Sequence, residues 1–193
     1  YFLADRLLRR GAKLDGLGLQ FHLYGGVEDA ARMETRSYFD PAHLLQVLDQ
    51  LGKLNLPIHI SEISLPTYPE LPGALAEEVQ GELLRNFYRT WFSQKNCQSI
   101  VYWNLCDGTA YGTESRFNAG LISSDFKEKN AYRILDTLVN HEWHTETTVA
   151  TDENGEAVWN GFYGEYELDF CGKKETVALT PRSENEYLLS LSE

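Results

Sequence analysis

Short apolar segments alternate with helical segments over the first two thirds of the chain, and this alternation constrains the fold more than any other feature. Residues 14–23, 58–63 and 99–105 have the length and apolar content of buried strands. A helix is predicted to begin at Asp40-Pro41, because Asp suits the N-cap and Pro the first helical position. Further helical segments cover residues 1–10, 75–94 and about 128–140. This order predicts an α/β fold with a parallel sheet.

Polar or aromatic residues stand near the end of each predicted strand. Gln20 and His22 lie near the end of the first strand, and Glu62 lies near the end of the second. Trp103 lies near the end of the third strand, and Asp107 comes just after it. The carboxyl ends of parallel strands share one edge of the sheet, and in such folds the chemistry sits there. We therefore expect these side chains to meet in one site.

The pattern changes after His141. Short alternating segments at residues 143–151, 157–159, 163–170, 175–180 and 187–191 are separated by turn signals at Asp152–Gly155 and at Cys171-Gly172. This pattern predicts a small antiparallel β unit. We thus divide the chain into residues 1–141 and a sandwich-like β appendage, residues 142–193.

Composition excludes several function classes. The net charge of −12 disfavours binding to nucleic acid, and an apolar run long enough to cross a membrane is absent from the sequence. The three cysteines show no zinc-type spacing, so we expect no structural zinc site. His141 and His144 stand near Glu142 and Glu146, which could indicate a metal site, although a surface junction explains them better.

Glu62 is the leading candidate for chemistry. Strict alternation places it on the same face as Ile58 and Ile60, opposite Ser61 and Ile63. A carboxylate at the end of a buried strand must be hydrogen-bonded or functional, because an unpaired buried charge is costly. The structural alternative is a glutamate that only bonds backbone or an arginine at the sheet edge.

Four motifs in order carry a resemblance to a known family. They are residues 16–22 (GLGLQFH), 56–63 (LPIHISEI), 100–108 (IVYWNLCDG) and 120–132 (GLISSDFKEKNAY). Together they resemble the C-terminal part of glycoside hydrolase family 10, which comprises mainly endo-β-1,4-xylanases. The resemblance implies that residues 1–141 form the last three strands of a (β/α)8 TIM barrel.

The resemblance also implies roles for individual residues. Glu62 matches the nucleophile of a retaining mechanism, and His22 matches the histidine that hydrogen-bonds it. Trp103 matches the aromatic floor beneath the sugar, although a core tryptophan is the plain alternative. The expected substrate-binding residues are Gln20, Trp103, Tyr111 and Asp107.

Three positions depart from the family pattern. Ser64 replaces the aspartate that normally braces the histidine, and it carries no charge. Tyr111 stands nearest the place of a second tryptophan, and Cys106 replaces a small hydroxyl residue. These departures suggest a divergent member with altered specificity or reduced activity.

The second catalytic carboxyl is expected outside this chain. Retaining hydrolysis needs two carboxyl groups about 5 to 5.5 Å apart, and the family's acid/base glutamate follows a strand that precedes these residues. A complete barrel takes about 250 residues, more than the 193 present. The chain alone should therefore be inactive and should need the N-terminal part of the barrel as partner.

The resemblance implies a secreted endo-1,4-β-xylanase-type hydrolase that acts on xylan and needs no metal or organic cofactor. Its extracellular or periplasmic location follows only from the size of a polysaccharide substrate. Two alternatives stay open: a non-catalytic glycan-binding protein on the same scaffold, and a hydrolase of another β-glycan.

Overall fold

The computed structural model describes residues 1–25, 39–181 and 185–189. These residues divide into two compact units, Tyr1–Asp136 and Thr137–Glu193. Within the described part of the chain, none of the helices is long and apolar enough to span a membrane.

The first unit alternates helices and strands as predicted. Helix α1 (Phe2–Arg9) precedes strand β1 (Leu17–His22), helix α2 (Pro41–Gly52) precedes β2 (Ile58–Ser64), and α3 (Gly73–Phe92) precedes β3 (Cys97–Tyr102). A short 3-10 helix (Gly112–Arg116) and helix α4 (Asn130–Thr137) follow. All three strands are parallel and lie in the order β1-β2-β3, which confirms the predicted parallel arrangement.

Local signals explain where helix α2 begins. The Asp40 side chain accepts a hydrogen bond from the backbone N–H of Ala42 at 2.9 Å, and Pro41 occupies the first helical position. The buried residues of this helix, Leu44 and Leu48, are one turn apart, so they form a single apolar stripe. The predicted N-cap is therefore confirmed.

A β-bulge in β2 corrects the predicted facing of Glu62. Leu19 pairs with Ile60, whereas the next residue, Gln20, pairs with Glu62, so Ser61 is an extra residue in the ladder. Strict alternation across this point was wrong, because Ser61 and Glu62 now face the same side as Gln20. The prediction had grouped Glu62 with the two preceding isoleucines.

The apolar face of the sheet packs against the helices. Ile58, Ile60 and Ile63 are almost fully buried. The Phe21 ring lies 4.8 Å from that of Phe87 and 5.2 Å from that of Trp91, both on α3. This packing turns the other face of the sheet, which bears Gln20, His22, Glu62 and Ser64, away from the helices.

The second unit is simpler than the sequence pattern indicated. A single antiparallel hairpin, β4 (Gly164–Phe170) with β5 (Lys173–Leu179), is its regular β-structure among the described residues. Cys171 and Gly172 form its turn, both with positive φ, as the turn signal predicted. The predicted segments 143–151 and 157–159 form no strand. Of the predicted segment 187–191, residues 190 and 191 lie outside the described part.

Candidate active site

The carboxylate of Glu62 is held between two donors from the neighbouring strand. Gln20 Nε2 donates to Oε1 at 3.0 Å, and His22 Nε2 lies 3.0 Å from Oε2. The side chains of His22 and Glu62 keep 17% and 22% of their exposed area, so the pair is shielded but still reachable from solvent. The structure thus brings Gln20, His22 and Glu62 together, as the strand ends predicted.

Ser64 lies behind His22, on the side opposite Glu62. Its Oγ is 3.1 Å from His22 Nδ1, and the residue is completely buried. Both ring nitrogens of His22 therefore have a partner: a carboxylate on one side and a hydroxyl on the other. This arrangement fixes the orientation of the imidazole ring.

Two further side chains converge on the same hydroxyl. Tyr24 Oη donates to Ser64 Oγ at 2.9 Å, and Asn104 Nδ2 donates to it at 3.2 Å. The Tyr24 ring also stacks on the His22 ring, with centroids 5.1 Å apart and planes 9° from parallel. Burial raises the pKa of Tyr24, and the nearby Glu114 carboxylate raises it further, while its bond to Ser64 acts in the opposite direction.

Trp103 lies edge-on to His22, at a centroid distance of 6.3 Å. Its indole Nε1 donates to Glu114 Oε2 at 3.2 Å, and half of its surface is exposed. Glu114 comes from the short 3-10 helix, so the loop after β3 holds the indole ring in place. An exposed, oriented aromatic ring beside a carboxylate can stack on the apolar face of a sugar.

The two remaining predicted substrate residues are placed differently. Asp107 accepts hydrogen bonds from Lys129 Nζ at 3.0 Å and from the backbone N–H of Gly120 at 2.7 Å. It thus ties the loop after β3 together. Tyr111 is 95% exposed, so it presents an open ring surface. Neither residue has a hydrogen bond to Glu62 or His22 within the described part of the chain.

The geometry of the Glu62 carboxylate suits it to act as a nucleophile. A carboxylate with two donors on its oxygens stays a hydrogen-bond acceptor and keeps its charge available for an approaching electrophilic carbon. The described residues contain no group of three side chains suited to hold a metal ion. Glu62 and Trp103 place a carboxylate beside an aromatic surface.

Sequence comparison decides the family of this site. The family model described as "Glycosyl hydrolase family 10" matches residues 1–137, a range that contains all the site residues above. The chain belongs to glycosyl hydrolase family 10.

Two relatives cover most of this chain, one named as an anti-sigma-I factor and the other as a xylanase. The anti-sigma-I factor RsgI6 of Acetivibrio thermocellus is 28% identical over 190 residues, covering 98% of this chain but 21% of that protein. Endo-1,4-beta-xylanase 2 of Arabidopsis thaliana is 21% identical over 168 residues, covering 86% of this chain and 13% of that protein. The chain thus spans a small part of each curated relative.

Solved structures of family 10 members share the fold. Xylanase 10B from Thermotoga petrophila, solved with xylobiose, matches with a TM-score of 0.57 at 18% identity, over 74% of this chain and 41% of that one. The Penicillium canescens endo-1,4-beta-xylanase XylE matches with a TM-score of 0.55 at 22% identity, over 72% and 40%. The chain therefore has part of the family 10 xylanase fold.

Several residues of this family 10 site were not predicted from the sequence. Tyr24, Asn104 and Glu114 complete the surroundings of His22 and Trp103, and Lys129 anchors Asp107. The sequence contained a signal for two of these residues: Tyr24 follows His22 by two residues, and Asn104 directly follows Trp103. Glu114 and Lys129 offered no comparable signal, because their contacts depend on how the loop after β3 folds back.

Proposed function

We propose that this chain is the nucleophile-bearing part of a retaining glycoside hydrolase that cleaves internal β-1,4 linkages of xylan. Glu62 would attack the anomeric carbon and form a glycosyl-enzyme intermediate, which water then hydrolyses. His22 and Gln20 would hold the attacking carboxylate, and Trp103 and Tyr111 would offer aromatic surfaces to the sugar. No metal or organic cofactor is required by this mechanism.

The arrangement of Glu62 is the observation that carries the proposal. Its two oxygens each meet a donor at 3.0 Å, and its side chain keeps access to solvent. A glutamate with a purely structural role would be expected to bind backbone or a basic side chain at the sheet edge. Here it meets a neutral amide and an imidazole, beside an exposed indole.

The sheet supports the proposal that further strands complete a TM barrel. Three parallel strands leave β1 and β3 as edges, and unpaired edges are a liability in a folded protein. Val101 and Trp103, which face the same side as the site, are 49% and 50% exposed. In a closed barrel this side would be the interior. We infer that β1–β3 are the last three strands and that residues outside these 193 supply the others.

Exposed side chains on α1 fit the same inference. Phe2 and Leu3 are 84% and 74% exposed, and this helix buries none of its residues. The outer helices of a barrel pack on their neighbours, so a preceding barrel segment would cover this apolar surface. That segment would also bring the acid/base carboxyl to the site, about 5 to 5.5 Å from Glu62.

A second candidate function is non-catalytic glycan binding on the same scaffold. One observation that favours it is Ser64, which is uncharged where the resemblance implies an aspartate. Another is that one relative is named as an anti-sigma-I factor and not as an enzyme. In this alternative the site would hold a xylan chain without cleaving it. Either function would act on a polymer, so we propose that these residues work outside the cell or in the periplasm.

The full-length protein that contains this chain allows a direct test. Release of reducing ends from xylan and binding of xylo-oligosaccharides would be measured for the parent, Glu62→Ala and Glu78→Gln, the last altering an exposed glutamate of α3. We expect Glu62→Ala to lose turnover by more than about 1000-fold, because the covalent route is removed, and to keep oligosaccharide binding. Glu78→Gln should match the parent.

Other outcomes would decide against hydrolysis of xylan. If the parent binds xylo-oligosaccharides without releasing reducing ends, the glycan-binding function holds instead. If another β-glycan such as mixed-linkage glucan is cleaved and xylan is not, the substrate assignment is wrong. A parent that neither binds nor cleaves any of these polymers would overturn both candidates.

A further inference from the structure

The hydroxyl of Ser64 has three hydrogen-bond partners beside Glu62. His22 Nδ1, Tyr24 Oη and Asn104 Nδ2 lie 3.1, 2.9 and 3.2 Å from its oxygen. A serine hydroxyl has one proton to donate and two lone pairs that accept. Three partners therefore fill it completely, and the direction of each bond can be assigned.

Two of the three partners donate to Ser64. The amide nitrogen of Asn104 carries only protons, so it can act only as a donor. Tyr24 receives a bond from the same amide at 3.4 Å and directs its own proton to Ser64. These two donors occupy both lone pairs of the serine oxygen. The bond to His22 must then be made with the serine's own proton.

We infer that Ser64 holds His22 as a neutral imidazole with its proton on Nε2, so that this nitrogen donates to Glu62. Nδ1 accepts from Ser64, and the remaining ring proton faces Glu62 Oε2 at 3.0 Å. Ser64 acts through His22 and is a positioning residue. The inference deepens the proposed function, since it describes how the same nucleophile is held.

An aspartate at position 64 would have the opposite effect. A carboxylate only accepts, so it would require a proton on Nδ1, while Glu62 requires one on Nε2. His22 would then be doubly protonated, and its positive charge would lie directly beside Glu62. With Ser64, the ring beside Glu62 is neutral and the negative charge of this pair rests on Glu62. Such a pair favours the positive charge that develops on a sugar ring during cleavage.

The charged groups around the ring define the competing arrangement. Glu62 by itself favours a protonated His22. For this form to exist, Ser64 would have to accept from Nδ1 and donate its own proton to Tyr24, which would turn its proton toward Glu114, a second carboxylate near this cluster. Ser64 and Tyr24 would stay in contact, but Ser64 would be the donor in their 2.9 Å bond, the reverse of the direction in the structure.

Nitrogen NMR of histidine distinguishes the two forms without reference to catalysis. The full-length protein would be labelled with ¹⁵N-histidine, and the signals of His22 would be identified by their loss in His22→Gln. Near neutral pH we expect one protonated nitrogen, Nε2, and one unprotonated nitrogen, Nδ1. A doubly protonated ring, or a proton on Nδ1 alone, would overturn the inference.

Two isosteric variants provide a matched comparison. Ser64→Asn keeps a donor for Nδ1, so the neutral ring should persist, whereas Ser64→Asp should give the doubly protonated ring at the same pH. Identical spectra for the two variants would contradict the assignment. Because position 64 is fully buried, the measurement on the parent decides the question if either variant fails to fold. The protonation state is measured whether or not xylan is cleaved, so the inference and the proposed function can fail separately.

Discussion

His22 and Glu62 contact each other diagonally across the sheet, with Nε2 and Oε2 at 3.0 Å. They are not register partners, because Glu62 pairs with Gln20 and His22 pairs with Ser64. The β-bulge at Ser61 brings all four side chains to one face. Glu62 can thus receive a donor on each oxygen, and this double contact leads to the first prediction.

Replacing Gln20 should weaken the reactivity of Glu62. Gln20→Leu removes the donor to Oε1, and a hydrogen bond to a charged group is worth about 1.5–3 kcal/mol. We expect turnover on an aryl xyloside to fall by about 10- to 150-fold at saturating substrate. Gln20→Glu should reduce it further near neutral pH, because two adjacent carboxylates cannot both stay ionised.

A matched measurement separates this effect from misfolding. Both Gln20 variants should keep the thermal midpoint close to that of the parent, since the Gln20 side chain lies in the open site and not in the packed core between sheet and helices. Turnover of Gln20→Leu equal to that of the parent would show that Glu62 does not depend on this donor. Recovery of Gln20→Glu activity as pH rises would support the like-charge explanation.

Periodicity and capping signals were sufficient to predict the strands and α-helices of the first unit, but not its short 3-10 helix, Gly112–Arg116. Helix α2 begins where Asp40 and Pro41 predicted, and the strands contain the predicted apolar runs. The facing of Glu62 could not be predicted, because a bulge depends on the neighbouring strand as well as on the strand's own alternation. In the second unit, alternating polarity predicted a strand at residues 143–151 that did not form, since alternation alone does not supply a pairing partner.

The site was predictable to the extent that its residues stand at strand ends. Gln20, His22 and Glu62 meet as expected for parallel strands. Glu114 could not be predicted, because the path of the loop after β3 decides its contact with Trp103. The catalytic and binding roles come from the family resemblance and remain predictions.

The ion pair between Lys129 and Asp107 should be important for stability. Their side chains are only 3% and 11% exposed, with Nζ and Oδ2 at 3.0 Å. Breaking a buried pair by removing one partner typically costs about 3–5 kcal/mol, because the other charge is left unpaired. We expect Lys129→Met to lower the free energy of unfolding by about this amount in urea denaturation.

Lys127 provides the control in the same segment. Its Nζ lies 2.6 Å from Asp125 Oδ2, yet both side chains are exposed, so Lys127→Met should leave the unfolding midpoint nearly unchanged. The double variant Lys129→Met/Asp107→Asn should recover part of the loss, because Asn removes the unpaired charge and can still accept from Gly120. Equal effects of the two lysine variants would mean that burial does not set the strength of these pairs.

Gly120 should not tolerate a side chain. A Cβ there would lie 2.5 Å from the backbone nitrogen of Asp107 and 2.8 Å from the carbonyl carbon of Cys106. Backbone atoms cannot move aside as the end of a side chain can, so we expect Gly120→Ala to destabilise the protein by about 1–3 kcal/mol. Gly73→Ala is the control, because a Cβ at Gly73 has no neighbour within 4 Å. A Gly120→Ala variant as stable as Gly73→Ala would contradict the packing described around Asp107.

Buried tyrosines should make the protein less stable in alkaline solution. Burial raises the pKa of Tyr68, Tyr88 and Tyr102 above the ordinary value of 10.0, most strongly for the last two. Above that value the unfolded chain loses phenolic protons that the folded chain retains, so the unfolded state binds fewer protons. The free energy of unfolding must then fall as pH rises. Urea denaturation at about pH 9 and about pH 11 should show the decrease.

Single tyrosine variants test whether buried phenols cause this dependence of the free energy of unfolding on pH. Tyr88 is 4% exposed, and Tyr88→Phe removes a phenolic group whose ionisation favours unfolding. This variant should therefore lose less stability than the parent between the two pH values, whatever its stability at the lower pH. Tyr163→Phe alters a tyrosine that is 68% exposed and should keep the parental slope. If Tyr88→Phe and Tyr163→Phe show the same slope, the alkaline loss of stability does not come from the buried phenol at position 88.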